Sequence, residues 1–422
     1  MRGHNGIYSP LVTLWLLVLQ RLQGGAPLEA AVLELLRGLP PSFWPRPCKR
    51  MRDWWERGKA PSSNTGAYNQ ARQALPSSMV HQSCDRIFEG LVAQFDDSGS
   101  GIKKERTFLL DGSTVRAAHT SALYESYPPG SNQYREGHWP LLRVLVAHDL
   151  DTGLAMRPEW GPVHGPNRVS EQSLLEGAIE RVPSRATVLA DSNFGVFSVA
   201  FVADQRQHPV LLRLTKVRAI RLAGEPLRNR MNRHVTWTPS QHDRRRHPGL
   251  PKGACVVGRL VVRRVQPSNG RKPFLLAMFT TLDLKEKELL GLYGQRWNIE
   301  TDLRTLKSTL RLDQLTCSTP DMVAKEIDAG IAAYNLVRAV TCLASEESGI
   351  RPRGYSFTRV RRIIQTFTPL IAAELDPQRA KRLFEQMMHW VQQAKLPRRR
   401  RRRPSYPRQV WNRGDRFPKR KA

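Results

Sequence analysis

The chain has 422 residues, 40% of them hydrophobic, and carries 67 Lys and Arg against 37 Asp and Glu, a formal charge of +30. That hydrophobic share excludes a wholly disordered chain and suffices for roughly two to four structural units around at least one sizeable core. The charge far exceeds what solubility needs and points to a polyanionic partner, nucleic acid first, while five scattered cysteines without a C-x2-C pair argue against a thiolate metal site and for a reducing compartment.

In chain order, LVTLWLLVL at 11–19 has the length of a signal-peptide core and is too short to span a bilayer. The leader MRGHNG is only weakly basic, and the apolar spacing runs on through LEAAVLELLRGL. The segment therefore reads as two buried helices, with no membrane attachment. Residues 1–100 read as helices broken at PPSFWPRP (40–47) and KAPSSNTGAY (59–68). Short helices rich in basic and aromatic residues suit a small DNA-binding unit, and a helical bundle used only for packing has the same texture.

From residue 105 the texture changes to strands: RTFLL (106–110), LLRVLVA (141–147) and GLAMRPEW (153–160). A helix through SEQSLLEGAIERV (170–182), the strand ATVLA (186–190), a helix over 196–205 and the strand PVLLRLT (209–215) follow. An antiparallel opening followed by strands alternating with helices predicts an α/β core built on a mixed sheet. Residues 216–283 contain HVTWTP, ACVVGRLVVRRV and RKPFLLAMFTTL and read as an inserted antiparallel sheet. A long helix is expected over 284–310 and another over 327–344. A helical pair then closes the fold before a tail with six consecutive arginines at 398–403, where self-repulsion and proline oppose packing. The units expected are 1–100, 101–215, 216–283, 284–345, 346–396 and 397–422.

Chemistry concentrates in YGQRWNIETDLRTLK, residues 293–307, spaced Y-x2-R-x3-E-x6-K. At about 100° per residue on one helix, Tyr293, Arg296, Glu300 and Lys307 fall within about 60° of one another. Leu292, Ile299, Leu303, Leu306 and Leu310 form an apolar stripe roughly 80° away. Arg296 and Glu300 at i, i+4 also make an ordinary surface pair. Two further carboxylates end apolar strands: Asp111 in TFLLDGST and Asp191 in TVLADSNFG. Each has a structural alternative, since Asp-Gly is a hairpin-turn dipeptide and Asp191 is placed to cap the following helix. Three carboxylates on one sheet and a helix packed against it allow an oxygen-ligand site suited to Mg²⁺, and two such ions serve in-line displacement at a phosphodiester.

These residues resemble the DDE transposases of bacterial insertion sequences, in the subgroup with the Y-x2-R-x3-E-x6-K signature. RTFLLDGST is similar to that family's first-aspartate strand, VLADSNFG to its second and YGQRWNIETDLRTLKSTLRLDQL to its signature helix. GHWPLLRVLVAHDLDTG, the SEQ at 170–172, FTTLDLKEKEL and MVAKEIDAGIAAYNLVR are similar as well. The resemblance covers about residues 100–345 well and the N-terminal helices loosely. It implies a ribonuclease-H-like catalytic core with a β-rich insertion between the second aspartate and the glutamate, flanked by N-terminal and C-terminal helical regions. Asp111, Asp191 and Glu300 would then be the catalytic, metal-binding triad for Mg²⁺, two ions in all, with Mn²⁺ able to substitute. Tyr293, Arg296 and Lys307 would contact DNA phosphates near the cleaved end. Trp237 is a candidate for stacking a flipped base, with a core tryptophan as the alternative; Arg213 is a candidate phosphate contact, with a solvated strand-end arginine as the alternative. His138 and His148 lie near strand ends outside the signature and are read as structural.

The activity implied is binding of double-stranded DNA at terminal inverted repeats, hydrolysis of the strand at the element's 3′ end, and joining of that 3′-hydroxyl to target DNA by transesterification. The implied setting is the bacterial cytoplasm, at the nucleoid, with a homodimer pairing two ends and helices near 376–394 as one contact. A stand-alone metal-dependent nuclease on the same core and a catalytically silent transposase-derived DNA-binding protein are the alternatives. The arginine-rich tail is not a constant part of the family pattern.

Overall fold

Residues 6–96, 106–131, 137–267 and 272–397 are described in the computed structural model of the protein. Five helices come first: α1 (Pro10–Leu22), α2 (Leu28–Arg37), α3 (Lys49–Arg57), α4 (Gly66–Ala74) and α5 (Ser77–Asp96). The apolar stretch at 11–19 lies in α1, whose side chains from Leu16 to Leu22 are buried, and Gly24 and Gly25 turn the chain into α2 at φ +82° and +74°. A left-handed pair of this kind suits glycine.

The core then unfolds in the order β1 (Thr107–Arg116), α6 (Ser121–Ser126), β2 (Leu141–Asp149), β3 (Glu159–Pro162), α7 (Glu171–Arg181), β4 (Thr187–Ala190), α8 (Phe197–Gln205), β5 (Val210–Leu214), α9 (Lys216–Ala223), β6 (Met231–Trp237), α10 (Gln241–Arg246), β7 (Val256–Val265) and β8 (Phe274–Thr280). It ends in α11 (Glu286–Gly294), α12 (Trp297–Arg304), α13 (Pro320–Ser348), α14 (Phe357–Ala373) and α15 (Pro377–Gln392). All eight strands form one mixed sheet, ordered β3-β2-β1-β4-β5-β8-β7-β6, with β1, β4 and β5 parallel to one another and every other pairing antiparallel. The strands read as an inserted sheet are therefore hydrogen-bonded onto β5 through β8. That pairing covers an edge β5 would otherwise expose.

Alternation along the strands sorts the core into two layers. Leu109, Val144, Val146, Leu189, Leu211 and Met278 pack with Leu289, Ile299, Leu303, Val323 and Tyr334 on one face. Phe108, Leu110, Leu145, Val188, Leu212 and Phe279 pack with Leu175, Ile179 and Val199 on the other. α13 is long and apolar enough to cross a membrane by length and composition, and 83% of its apolar window is buried inside this fold.

The expected helix over 284–310 is interrupted. Between α11 and α12, Gln295 and Arg296 donate their amides to Leu292 and Tyr293, three residues back, and a π-turn spans Thr305–Thr309. Gly294 ends α11 where a helix tolerates a break. The single 100° wheel thus does not carry from Tyr293 to Lys307.

Buried charge joins the layers. Asp302 in α12 is fully buried and accepts from Arg338 (2.6 Å), Arg353 (2.7 Å) and the Tyr334 hydroxyl (3.1 Å). Burial alone would raise its carboxyl; Arg338, His148 and Arg353 outweigh that and hold it below the usual range. His148 sits fully buried beside this group, and its own burial pushes it down to about 4. The N-terminal helices dock on α13 in the same way: Glu326 pairs with Arg21 and with Arg72 (2.8 Å), and Lys325 donates to the Gln73 carbonyl at 3.0 Å.

Removing one partner of such a group leaves the others buried and unpaired. Asp302→Ala is expected to lower stability by roughly 3–5 kcal/mol, read as a fall in the urea midpoint against the wild type. Asp302→Asn, which keeps one acceptor oxygen, should lose less.

Candidate active site

β1 and β4 run parallel with Leu110 opposite Ala190, so the next residues of the two strands are Asp111 and Asp191. Adjacent strands lie about 5 Å apart, which puts the two carboxylates side by side. Both follow the alternation of Leu109 and Leu189 onto the face covered by α11, α12 and α13. β1 continues through Asp111–Gly112 to Arg116, so the hairpin alternative does not occur, and the N-cap of α8 is Val196, so Asp191 does not cap that helix. Each carboxylate instead accepts from a nearby amide, Asp111 from Gly112 and Asp191 from Asn193, both at 2.8 Å. Burial pushes the Asp111 carboxyl up to about 6; the Gly112 amide and Arg296 oppose the rise, while Asp191 and Glu171 add to it.

The signature residues gather across from this pair. Arg296 lies at the junction of α11 and α12, buried, with its guanidinium 3.0 Å from Glu300 and 5.0 Å from the centre of the Trp297 ring. The Tyr293 hydroxyl is buried without a hydrogen bond of normal geometry among the described residues. Burial raises its pKa, and the nearby Arg296 and Arg213 oppose that shift. Arg213 reaches this face from β5 and lies 5.8 Å from the Phe274 ring. Lys307 Nζ donates to Ser113 Oγ at 3.1 Å, two residues along β1 from Asp111. Asp111, Asp191, Arg213, Tyr293, Arg296, Glu300 and Lys307 thus share one face of the sheet.

One expectation needs correction. Trp237 is 9% exposed and sits edge-on to Phe197 and Phe279 in the layer on the opposite face. The core alternative obtains, because β6 alternation turns its indole away from Asp111. Glu300 stands apart from the aspartate pair: among the described residues no three His, Cys, Asp or Glu are grouped closely enough to hold a metal ion. Like charges repel, and Glu300, 40% exposed, finds Arg296 one helical turn away. The paired Asp111 and Asp191 are hard oxygen donors whose mutual repulsion a divalent cation would relieve, so this part of the donor set fits such an ion.

Sequence reasoning missed three residues near the site. Trp297 and Phe274 are 65% and 41% exposed, each beside an arginine of the site. Trp297 had a signal in its adjacency to Arg296, whereas Phe274 had none, because only the β5–β8 pairing brings it to Arg213. Glu171 reads as an ordinary acid in the first turn of a helix, yet its charge reaches Asp111.

A mixed sheet with adjacent aspartates on neighbouring parallel strands, faced by a helix bearing a glutamate, defines the ribonuclease-H-like class of catalytic core. Residues 102–336, more than half of the chain, match the family described as the transposase DDE domain, and the chain belongs to that family. Over 376 residues it is 26% identical to the transposase InsG for insertion sequence element IS4 of Escherichia coli (strain K12), a match covering 86% of this chain and 79% of that protein. DNA is accordingly its partner, and the family's chemistry is nucleotidyl transfer.

The Asp111 shift carries a sign. Its folded value of about 6 exceeds the ordinary 3.8, so the folded state keeps the proton longer, and stability falls as pH rises through this window. Asp111→Asn removes the effect. The variant should match the wild type near pH 4 and exceed it above pH 6 by on the order of 2 kcal/mol, measured by metal-free denaturation at both pH values.

Proposed function

We propose that the protein is a metal-dependent DNA transposase that binds terminal inverted repeats, cleaves the strand at the element's 3′ end and transfers the new 3′-hydroxyl to target DNA by transesterification. The observation that carries this reading is the placement of Asp111 and Asp191 side by side, opposite Arg296 and the helix it precedes, which bears Glu300. Asp111, Asp191 and Glu300 would hold the metal. Bound there, two Mg²⁺ ions, or Mn²⁺ in their place, would supply Lewis acidity at the attacked phosphodiester and lower the pKa of the attacking oxygen.

The chain's own residues do the rest. Arg296, Tyr293, Lys307 and Arg213 form the phosphate grip, with guanidiniums suited to bidentate contacts and Lys307 acting as a point charge. A phosphate arriving at Arg296 competes with Glu300 for the guanidinium. Glu300, freed from Arg296, would then be available as the third ligand beside Asp111 and Asp191. A net charge of +30 supports a long DNA track, with the N-terminal helices on the repeats and a homodimer in the synaptic complex. The setting proposed is the bacterial cytoplasm, at the nucleoid.

Purified protein is incubated with Mg²⁺ and a plasmid bearing the flanking terminal repeats. Asp191→Ala and Glu300→Ala should each cut cleavage by more than about 100-fold, the upper range for outer partners of a metal, with repeat binding retained. Equal cleavage by wild type and both variants would sink the triad assignment. Cleaved ends without joined products would favour the stand-alone nuclease.

The grip has its own signature in salt. Lys307→Ala should weaken binding to all sequences alike and lower the slope of log K against log salt by about one; an unchanged slope would remove Lys307 from the phosphate contacts.

A further inference from the structure

The turn that carries Asp191 is tied down along nearly its whole length, mostly from elements outside the signature. The Asn193 backbone N–H donates to Asp191 Oδ1 at 2.8 Å. Asn193 is in turn held twice by the start of α7: its side-chain amide donates to Glu171 Oε2 at 2.5 Å, and its carbonyl accepts from Gln172 Nε2 at 2.8 Å. The Ser192 carbonyl accepts from Arg218 at 2.9 Å. At the far end, Gly195 passes so close to β5 that a Cβ there would lie 2.0 Å from the Arg213 carbonyl oxygen. Only glycine fits such an approach.

Glu171 is itself fixed. It opens α7, whose N-terminus is set by Ser170 accepting from the Ser173 amide at 3.0 Å. Arg143 lies 3.4 Å from Glu171 Oε1. Its carboxyl rests against Gly112, the residue after Asp111, where an added Cβ would come within 2.4 Å of Glu171 Cδ. One side chain therefore touches both the strand of Asp111 and the turn of Asp191, from the sheet face opposite α12.

We infer that Asn193 and Glu171 are positioning residues for the divalent cation: the Asn193 backbone N–H sets the rotamer of Asp191, and Glu171, by holding the Asn193 side chain, fixes that N–H while bracing β1 beside Asp111. The inference rests on the proposed role of Asp111 and Asp191 as metal-holding carboxylates. A carboxylate already bonded in one rotamer loses less freedom when it takes a ligand. Outer partners of this kind change metal affinity by about 10–100-fold. If the same bonds served only to pack α7, their loss would lower stability and leave metal affinity alone.

The test uses the full-length protein with Mn²⁺ alone and no DNA, counting free Mn²⁺ by electron paramagnetic resonance beside metal-free melting curves. Glu171→Ala and Asn193→Ala should each raise the Mn²⁺ Kd by about 10-fold or more, with metal-free Tm within about 3 °C of wild type. Glu171→Gln, whose amide oxygen still accepts from Asn193, should recover to within about threefold of wild type. Wild-type Mn²⁺ affinity in both alanine variants overturns the inference, as does a loss matched by a fall in Tm, or a Glu171→Gln defect equal to that of Glu171→Ala. Asp191→Ala separates the two levels: wild-type Mn²⁺ binding in that variant removes Asp191 from the metal site. Its loss of binding beside a wild-type Asn193→Ala removes only the positioning role.

Discussion

The parallel register of β1 with β4 governs this molecule. With Leu110 opposite Ala190, two aspartates emerge next to each other on the same face, and two like charges about 5 Å apart in backbone spacing repel. Asp111 shows the consequence, its carboxyl driven up to about 6 by burial with Asp191 and Glu171 adding to it. The fold tolerates this because the sheet is buried on both faces by well-packed layers. Stability gathered there holds a pair of groups that would separate if free.

The helix opposite is built to hold one side and free the other. Asp302 and Glu300 are two residues apart, so they project from nearly opposite sides of α12. Asp302 is locked by Arg338, Arg353 and Tyr334, which fixes the helix against α13. Glu300 stays half-exposed and pairs with Arg296. Rigid anchoring of the helix and a half-exposed glutamate are compatible because they use different faces. The break at Gln295–Arg296 adds to this, since it lets Arg296 sink toward Asp111 without dragging α12 off its anchor.

Much of the strand and helix order was legible from alternation and apolar runs. β2, α7, β4, α8 and β5 fall within a residue or two of where LLRVLVA, SEQSLLEGAIERV, ATVLA and PVLLRLT place them. The errors have specific causes. The first strand is expected to end at residue 110, before the turn-prone Asp-Gly, but strand pairing along β2 carries β1 through it to Arg116. The 284–310 helix looks continuous because no proline interrupts it; tight amide bonds at 295–296 break it. Trp237 has the same sequence context whether it faces DNA or the core, and β6 alternation decides for the core. The run of arginines at 398–403 lies outside the described residues.

By itself, the sequence determined the inventory: two strand-end aspartates, a glutamate spaced from an arginine and a lysine, and a charge balance that calls for DNA. Those properties reside in residue types and short spacings, which a chain displays before it folds. The tertiary structure alone decided convergence, because it depends on pairings between residues far apart in the chain. Leu110 with Ala190, Lys307 with Ser113, Asp302 with Arg353 and Glu171 with Asn193 are contacts of that kind.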